Sequence, residues 1–376
     1  MFKHLSSPLL LAILTLLGGG LVQVYSSSYI FATESYGDSF YFFSRQLIFS
    51  VAAFGALLVA AQIPIRWIEK WGWTLWLVAG LGVLATFIPG VGIRVGGAIR
   101  WIQLPMGIRF EPSEILKFSF SLLFATLVVK KETVLGRWKW WAIGMMIVAP
   151  LLLLLRQPDF GSFAIITCVG VGLLFAFGLK WRYILTSLVV MIPAFYLLVM
   201  RVPYRRARVL AFLDPWSDPE QKGFQVIQSM LSFHSGGVTG SGLGQGQGKL
   251  FFLPEAHTDF TLAVFGEEMG FIGFVGLLAL YGFVVLRGFQ IASRCESPFR
   301  KALALGISMT FALSVFINAG VVMGLLPTKG LTLPFLSYGG SSLITLCFMF
   351  GLLLNLEKNL FETPQNPFLR NRSRLN

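Results

Sequence analysis

Long apolar runs alternate with short polar interruptions along the whole chain. Ten runs approach the about 20 residues that cross a bilayer as a helix. Their cores fall at 8–28, 46–63, 72–89, 114–129, 138–155, 162–179, 183–200, 261–286, 301–323 and 340–356. The pattern predicts an all-α, polytopic integral membrane protein with ten transmembrane helices. One transmembrane domain covers 1–360, with a long outer loop at about 201–260 between the seventh and eighth helices. The polar, Pro-containing segment 361–376 reads as a flexible basic tail. An even number of spans puts both termini on one side. The first run imitates a signal peptide but is long enough to span, so it is read as a retained helix. No repeat of 20–50 residues is visible.

Composition agrees with the pattern. Of 376 residues, 55% are hydrophobic and 12% charged, with mean hydropathy +0.74. A soluble domain carries about 25% charged residues, so no sizeable soluble domain is left once the spans are removed. The net charge of +13 would suggest nucleic acid in a soluble protein. In a membrane protein it first sets topology. More than half of the 30 Lys and Arg fall in the N-terminus, the even-numbered connections and the C-terminal tail, which places those segments in the cytoplasm.

The remaining basic residues crowd two outer loops. One carries Arg94, Arg100, Arg109 and Lys117, the other Arg201, Arg205, Arg206, Arg208, Lys222 and Lys249. Basic residues there run against the charge rule. Either an anionic ligand such as a lipid phosphate or pyrophosphate compensates them, or acids on the same face do. The three cysteines and three histidines are dispersed, without metal spacing or a disulfide framework.

Five stretches could carry chemistry. In the first, Pro112 suits a helix start, Ser113 could cap it, and Glu114 and Lys117 share one helical face. They form either a local ion pair or a cation held ready for an anionic headgroup. Trp101 reads as an interfacial anchor. In the second, Asp159 of Gln157-Pro-Asp-Phe-Gly161 can cap the following helix. The glycine-rich run 235–249 fails as a phosphate loop, because Leu250 follows Gly248-Lys249 and no strand precedes it. A flexible or closely packed loop is expected instead. In the fourth, Leu253–Gly270, Glu255, His257, Asp259, Glu267 and Glu268 gather at the mouth of the eighth span, where ionisable groups are costly. Asp259 sits where a general base could meet a substrate hydroxyl. Glu267 and Glu268, two turns further in, suit pairing with a basic residue of a neighbouring helix. The fifth, 324–342, breaks the apolar pattern with glycines, prolines and hydroxyls, as a cavity lining or a plain loop would.

Taken together these motifs resemble the SEDS family (shape, elongation, division and sporulation) over nearly the whole chain. The resemblance rests on Gly96-Gly-Ala-Ile-Arg-Trp101, Pro112-Ser-Glu-Ile-Leu-Lys117, Gln157-Pro-Asp-Phe-Gly161, Arg206-Ala-Arg208 with Phe212-Leu-Asp-Pro-Trp216, Leu253-Pro-Glu-Ala-His-Thr-Asp-Phe260, Gly266-Glu-Glu268, and Leu326 to Gly340. It is closer to the division branch than to the elongation branch. The sequence departs from the family at Thr261-Leu262, an apolar change that leaves Asp259 in place.

The resemblance implies ten helices with cytoplasmic termini and a peptidoglycan glycosyltransferase. Such an enzyme polymerises lipid II on the outer face of the cytoplasmic membrane and releases undecaprenyl pyrophosphate. It implies a class B penicillin-binding protein (a transpeptidase) and other division membrane proteins as partners, with a place at the septum. Matched residue by residue, the essential family aspartate is Asp259, and the basic and acidic positions beside the fourth helix are Arg109, Glu114 and Lys117. Arg109, Lys117, Arg206 and Arg208 are expected at the pyrophosphate. Arg100, Trp101, Glu114, Asp159, Glu255, His257, Lys329 and Ser337 are expected to support the site. A divalent cation, Mg or Mn, near Asp259 is suggested by the family but by no motif here, and no other cofactor is implied. A lipid II flippase, an elongation-type polymerase and a scaffold that only recruits the transpeptidase are the alternatives.

Overall fold

The computed structural model describes residues 7–362 except 96–97, 131–136, 221–222, 251–252, 329 and most of 184–195. The expected tail beyond Glu362 and Lys329 therefore lie outside the described residues, as does part of the seventh expected span. Helices dominate because a helix satisfies its own backbone polar groups in lipid. In chain order they are α1 (Pro8–Tyr36), α2 (Tyr41–Ala60), α3 (Ile65–Lys70), α4 (Gly72–Ala85), α5 (Pro112–Lys130), α6 (Arg137–Arg156) and α7 (Phe160–Ala176). Then follow α8 (Pro203–Leu213), α9 (Phe224–Gly236), α10 (Thr261–Arg294), α11 (Pro298–Val322) and α12 (Gly340–Glu362). Six of these, α1, α2, α5, α10, α11 and α12, are long and apolar enough to cross a membrane, and α4, α7 and the last part of α6 are shorter apolar helices.

α5 and α11 form the centre. α11 packs between α5, α7 and α10, while α12 lies along α2 and α1 bridges α2 and α10. Leu122, Leu123, Phe311 and Phe350 are among the fully buried side chains that fill this core. At one end of the bundle the Ser7 hydroxyl donates to Glu357 at 2.7 Å, and Arg287 donates to the same carboxylate at 2.6 Å. The start of α1 and the last turns of α10 and α12 therefore meet. Both ends of the described chain lie on one side, as the even span count predicts.

The opposite end departs from a purely helical expectation. A small antiparallel sheet of β1 (Gly92–Val95), β2 (Ala98–Gln103) and β3 (Arg109–Phe110) covers the mouth of the bundle. Ile93 pairs with Trp101 and Ile102 with Phe110, with a register shift at Ile93/Arg94. Gly92 makes this turn possible, since a Cβ there would strike the Thr86 carbonyl. Trp101 is half-buried within this sheet rather than standing out as a lone anchor.

The long loop after the seventh span also folds. It contains α8, α9 and a glycine-rich segment that is closely packed. α10 is broken at Gly270, which has φ 65° and ψ −170°. Backbone of the glycine segment fills the break. Phe271 and Ile272 donate their N–H groups to Gly237 and Val238 (2.9 and 3.1 Å), and Ser241 and Gly242 donate to Glu267 and Glu268 (both 3.0 Å). A Cβ on Gly240 would strike the Glu268 carbonyl, and one on Gly270 would strike Gly240. Glycine is needed here for close approach of two backbones, and the exchange leaves these groups satisfied inside the bundle.

Candidate active site

The segment 253–260 is a compact turn rather than an open loop. Glu255 takes a left-handed conformation (φ 57°). Its carbonyl accepts from the Thr258 and Phe260 N–H groups, and its carboxylate accepts from the Thr258 hydroxyl at 2.7 Å. Buried Leu253, Ala256 and Phe260 anchor the turn in the core. Asn318, buried on α11, donates one amide to two carbonyls, Asp259 at 3.0 Å and Leu331 at 2.6 Å. It thus clamps the Asp259 turn to the 324–339 loop.

His257 locks the other side. Its ring lies 4.6 Å from Phe42 and 5.5 Å from Phe31, with Tyr338 at 6.1 Å. The Tyr338 N–H donates to the His257 carbonyl at 2.9 Å. Burial among these rings pushes the imidazole pKa down, against the opposing pull of Glu255, so His257 is neutral at pH 7.

Asp259 and Arg100 both border Gly330. A Cβ built on Gly330 would lie 3.0 Å from Arg100 Nη1 and 3.5 Å from Asp259 Oδ2. The guanidinium donates to the Pro158 carbonyl at 2.5 Å and to the Gly330 carbonyl at 3.3 Å, and it stands 3.8 Å from Asp159. Asp159 in turn caps α7 by accepting from the Ser162 N–H at 3.2 Å, as the sequence suggests. One side chain from β2 thereby ties together the α6–α7 break and the 324–339 loop beside Asp259. Arg100 Nε and Asp159 Oδ2 are buried with no hydrogen-bond partner. Buried polar atoms of this kind are ordinarily paired, so the Arg100–Asp159 contact leaves hydrogen-bonding capacity unused.

Deeper in, Lys117 and Glu114 form a 2.8 Å ion pair on α5, both largely buried. They line a small hollow of about 30 Å³ with Thr310 and Ser314 of α11, Thr332, and Ser342 and Thr345 of α12. Polar side chains facing an enclosed space at membrane depth make a site for a polar group of a lipid-borne ligand. Just before α5 the Glu111 carboxylate accepts from the Ser113 hydroxyl at 3.0 Å. Ser113 therefore bonds back to Glu111. Burial first, then the Glu114 and Asp159 charges, push the Glu111 pKa up to about 8, against Lys117 and Arg100.

Other expected residues take different places. Arg109 is exposed on β3, close enough to Tyr338 for its charge to act there. Ser337 closes a turn by accepting from the Leu333 N–H at 2.9 Å. Arg206 is exposed on α8, in a separate hollow with Arg201, Leu210, Ser217 and Asp218, and none of the residues around Asp259 lines it. The side chain of Arg208 lies outside the described residues. The cation that pairs with Glu268 does not come from a neighbouring helix. Lys249 of the glycine segment reaches it at 2.6 Å, and Ser26 of α1 donates to both its oxygens at 2.7 Å. Glu267 accepts from the Gln247 and Gly248 N–H groups instead of meeting a cation.

Among the described residues, no three His, Cys, Asp or Glu side chains gather in a way that could hold a metal ion. The described residues therefore gather no donor set for a protein-held divalent ion. Sequence reasoning also missed Asn318, and it counted Glu111 only as one acid among many. An amide inside an apolar span was the available signal for Asn318.

The chain is similar to known proteins over most of its length. The family model of FtsW, RodA and SpoVE, described as cell cycle protein, matches residues 7–361. A probable peptidoglycan glycosyltransferase FtsW of Geobacter metallireducens is 45% identical over 92% of this chain and 92% of its own. That of Thioalkalivibrio sulfidiphilus is 39% identical, over 96% and 91%. Among solved structures, a chain of a peptidoglycan synthase complex that coordinates polymerization and crosslinking superposes with a TM-score of 0.75 at 28% identity, covering 94% and 98%. The rod shape determining protein RodA of Thermus thermophilus superposes with 0.67 at 26% identity, covering 94% and 97%.

Proposed function

This chain belongs to the FtsW, RodA and SpoVE family of cell cycle proteins, and from that premise we propose that it is a peptidoglycan glycosyltransferase of the division type. It polymerises lipid II at the outer face of the cytoplasmic membrane. The observation that carries the reading is Asp259, whose main-chain carbonyl is held by Asn318 while its carboxylate borders Gly330 together with the Arg100 guanidinium. In this reading Asp259 takes the proton from the 4-hydroxyl of a GlcNAc unit. The freed oxygen attacks the anomeric carbon of the neighbouring MurNAc, whose bond to phosphate breaks with inversion. Undecaprenyl pyrophosphate departs with the bonding electrons.

Arg100, Arg109 and Lys117 stabilise the charge that develops on the leaving pyrophosphate. Lys117 is paired with Glu114 at rest, and an oxygen of the leaving pyrophosphate would compete for it. Arg206, in its separate hollow, takes no part in this step. The partner is a class B penicillin-binding protein at the septum, a reading supported by the relatives' names and by the synthase complex with which the fold superposes. Purified Asp259→Ala supplied with lipid II tests the catalytic assignment. No polymer is expected, whereas polymer at the wild-type rate overturns the role of Asp259.

A further inference from the structure

The outer ends of α1 and α2 carry an unusual density of rings that the reaction above does not use. Tyr25, Tyr29, Phe31, Tyr36, Phe40, Tyr41, Phe42 and Phe43 fall within nineteen consecutive residues. They form two neighbouring sets, one of Phe31, Tyr36, Tyr41 and Phe42, the other of Tyr25, Tyr29, Phe40 and Phe43. Tyr36 stacks on Tyr41 at 3.9 Å, Phe40 on Tyr25 at 5.2 Å, and Phe31 on His257 at 5.5 Å. Tyr36 and Phe40 are each 51% exposed, and Phe31 is 37% exposed. Glu34 and Asp38, both exposed, stand among them.

An interfacial belt is the ordinary reason for such rings. Two observations argue against it here. α1 has 29 residues, about 43 Å of helix, while a hydrocarbon core is about 30 Å thick. The turns from Phe31 onward therefore stand beyond the hydrocarbon core when Pro8 starts the span. Two exposed carboxylates within the patch would also be costly against lipid. The first set is instead continuous with the candidate site, and Phe40 of the second is tied to the same ledge by donating its N–H to the Asp38 carboxylate at 2.9 Å. Phe31 and Phe42 contact His257, two residues from Asp259, and Tyr338 joins the same cluster.

Flat rings interleaved with carboxylates match the chemistry of a sugar chain. The axial C–H bonds of a pyranose lie against the electron-rich face of an aromatic ring, and its hydroxyls donate to carboxylates. We propose that the ledge formed by Phe31, Glu34, Tyr36, Asp38 and Phe40 is a saccharide-binding surface that holds the growing glycan strand as it leaves the Asp259 site. This rests on the polymerase reading above and extends it. A bound strand stays with the enzyme between additions, so the ledge sets strand length.

The test uses the full-length protein in detergent and, as probe, a soluble tetrasaccharide of alternating GlcNAc and MurNAc. Binding is followed by saturation-transfer NMR and strand length by gel electrophoresis of lipid II polymerisation products. Tyr36→Ser/Phe40→Ser is expected to weaken tetrasaccharide binding by at least about tenfold, as loss of two anchoring rings does, and to shorten the strands. Wild-type binding and strand length in this variant overturn the proposal, as does a wild-type protein that does not bind the probe. A variant that loses only thermal stability while binding the tetrasaccharide normally identifies an interfacial anchor, and also overturns it. Asp259→Asn separates the two readings. It is expected to make no polymer yet bind the tetrasaccharide as wild type does. Polymer from Asp259→Asn counts against the catalytic assignment alone, and lost binding in Asp259→Asn with binding intact in the ring variant counts against the ledge alone.

Discussion

Replacing Lys249 by Met removes the ammonium from one of the most enclosed ion pairs in the described chain. Its side chain is 2% exposed and that of Glu268 is 0% exposed. At present Glu268 receives Lys249 at 2.6 Å and Ser26 at 2.7 Å, and Lys249 also donates to Ser26 at 3.3 Å and lies 5.0 Å from the Tyr29 ring centroid. In Lys249→Met the carboxylate keeps only the Ser26 hydroxyl. An uncompensated buried charge costs about 3–5 kcal/mol. At about 1.4 kcal/mol per tenfold change, the ratio of folded to unfolded protein falls by roughly two to three and a half powers of ten.

The double variant Lys249→Met/Glu268→Leu removes both charges, and most of that loss should return. Equilibrium unfolding in mixed micelles, followed by tryptophan fluorescence, measures all three proteins and the coupling between the two sites. The same single variant should lower kcat, because the Leu253 N–H that opens the Asp259 turn donates to Gly248 at 2.9 Å, next to Lys249. A single variant within about 1 kcal/mol of wild type, or a double variant no more stable than the single, would refute the argument.

Three further predictions follow from the site. The folded pKa of Glu111, about 8, lies above its unfolded value of 4.5. The stability it contributes is therefore full below about 4.5 and is lost as pH rises through about 8. Polymerisation should decline above pH 8, and Glu111→Gln should remove that decline; an unchanged alkaline limb in the variant excludes Glu111 as its source. Asn318→Leu strands two buried carbonyls at about 1–3 kcal/mol each. Thermal unfolding should show the loss, kcat should fall more than KM rises, and full activity at wild-type stability would discount the clamp. Gly20→Ala drives a methyl group into the Phe335 carbonyl, so it should destabilise the 324–339 loop, read as faster amide exchange at Leu336 and Ser337.

How legible this was in the sequence depended on the kind of force involved. The spans were readable because a run of apolar residues has few ways to exist other than as a buried helix. Asp159 was readable as a cap because a cap acts within three residues. The sheet at 92–110 was not, since strands of two to six residues in a glycine-containing loop carry no period of their own. The meeting of Arg100, Gly330 and Asp259 depends on three loops brought together by helix packing, which no local spacing encodes. Charge alone drew Arg206 towards the site, and packing put it in another hollow. Glu268 was correctly expected to be paired, but its cation arrives on an irregular segment that the glycines allow to lie flat against α10.

The break at Gly270 also bears on how the protein is made. Its hydrogen-bonding mates, Gly237 to Gly242, precede it in the chain. During synthesis that segment has already been exported when α10 begins to enter the bilayer. α10 therefore never has to cross the membrane with an open turn and two bare carboxylates at its leading edge. The backbone that closes the turn, and the lysine that neutralises Glu268, are waiting on the far side. Transplanting the glycine segment to follow α10 would keep every contact available in principle and reverse the order in which they form, so that insertion of this helix would become the slow step of assembly.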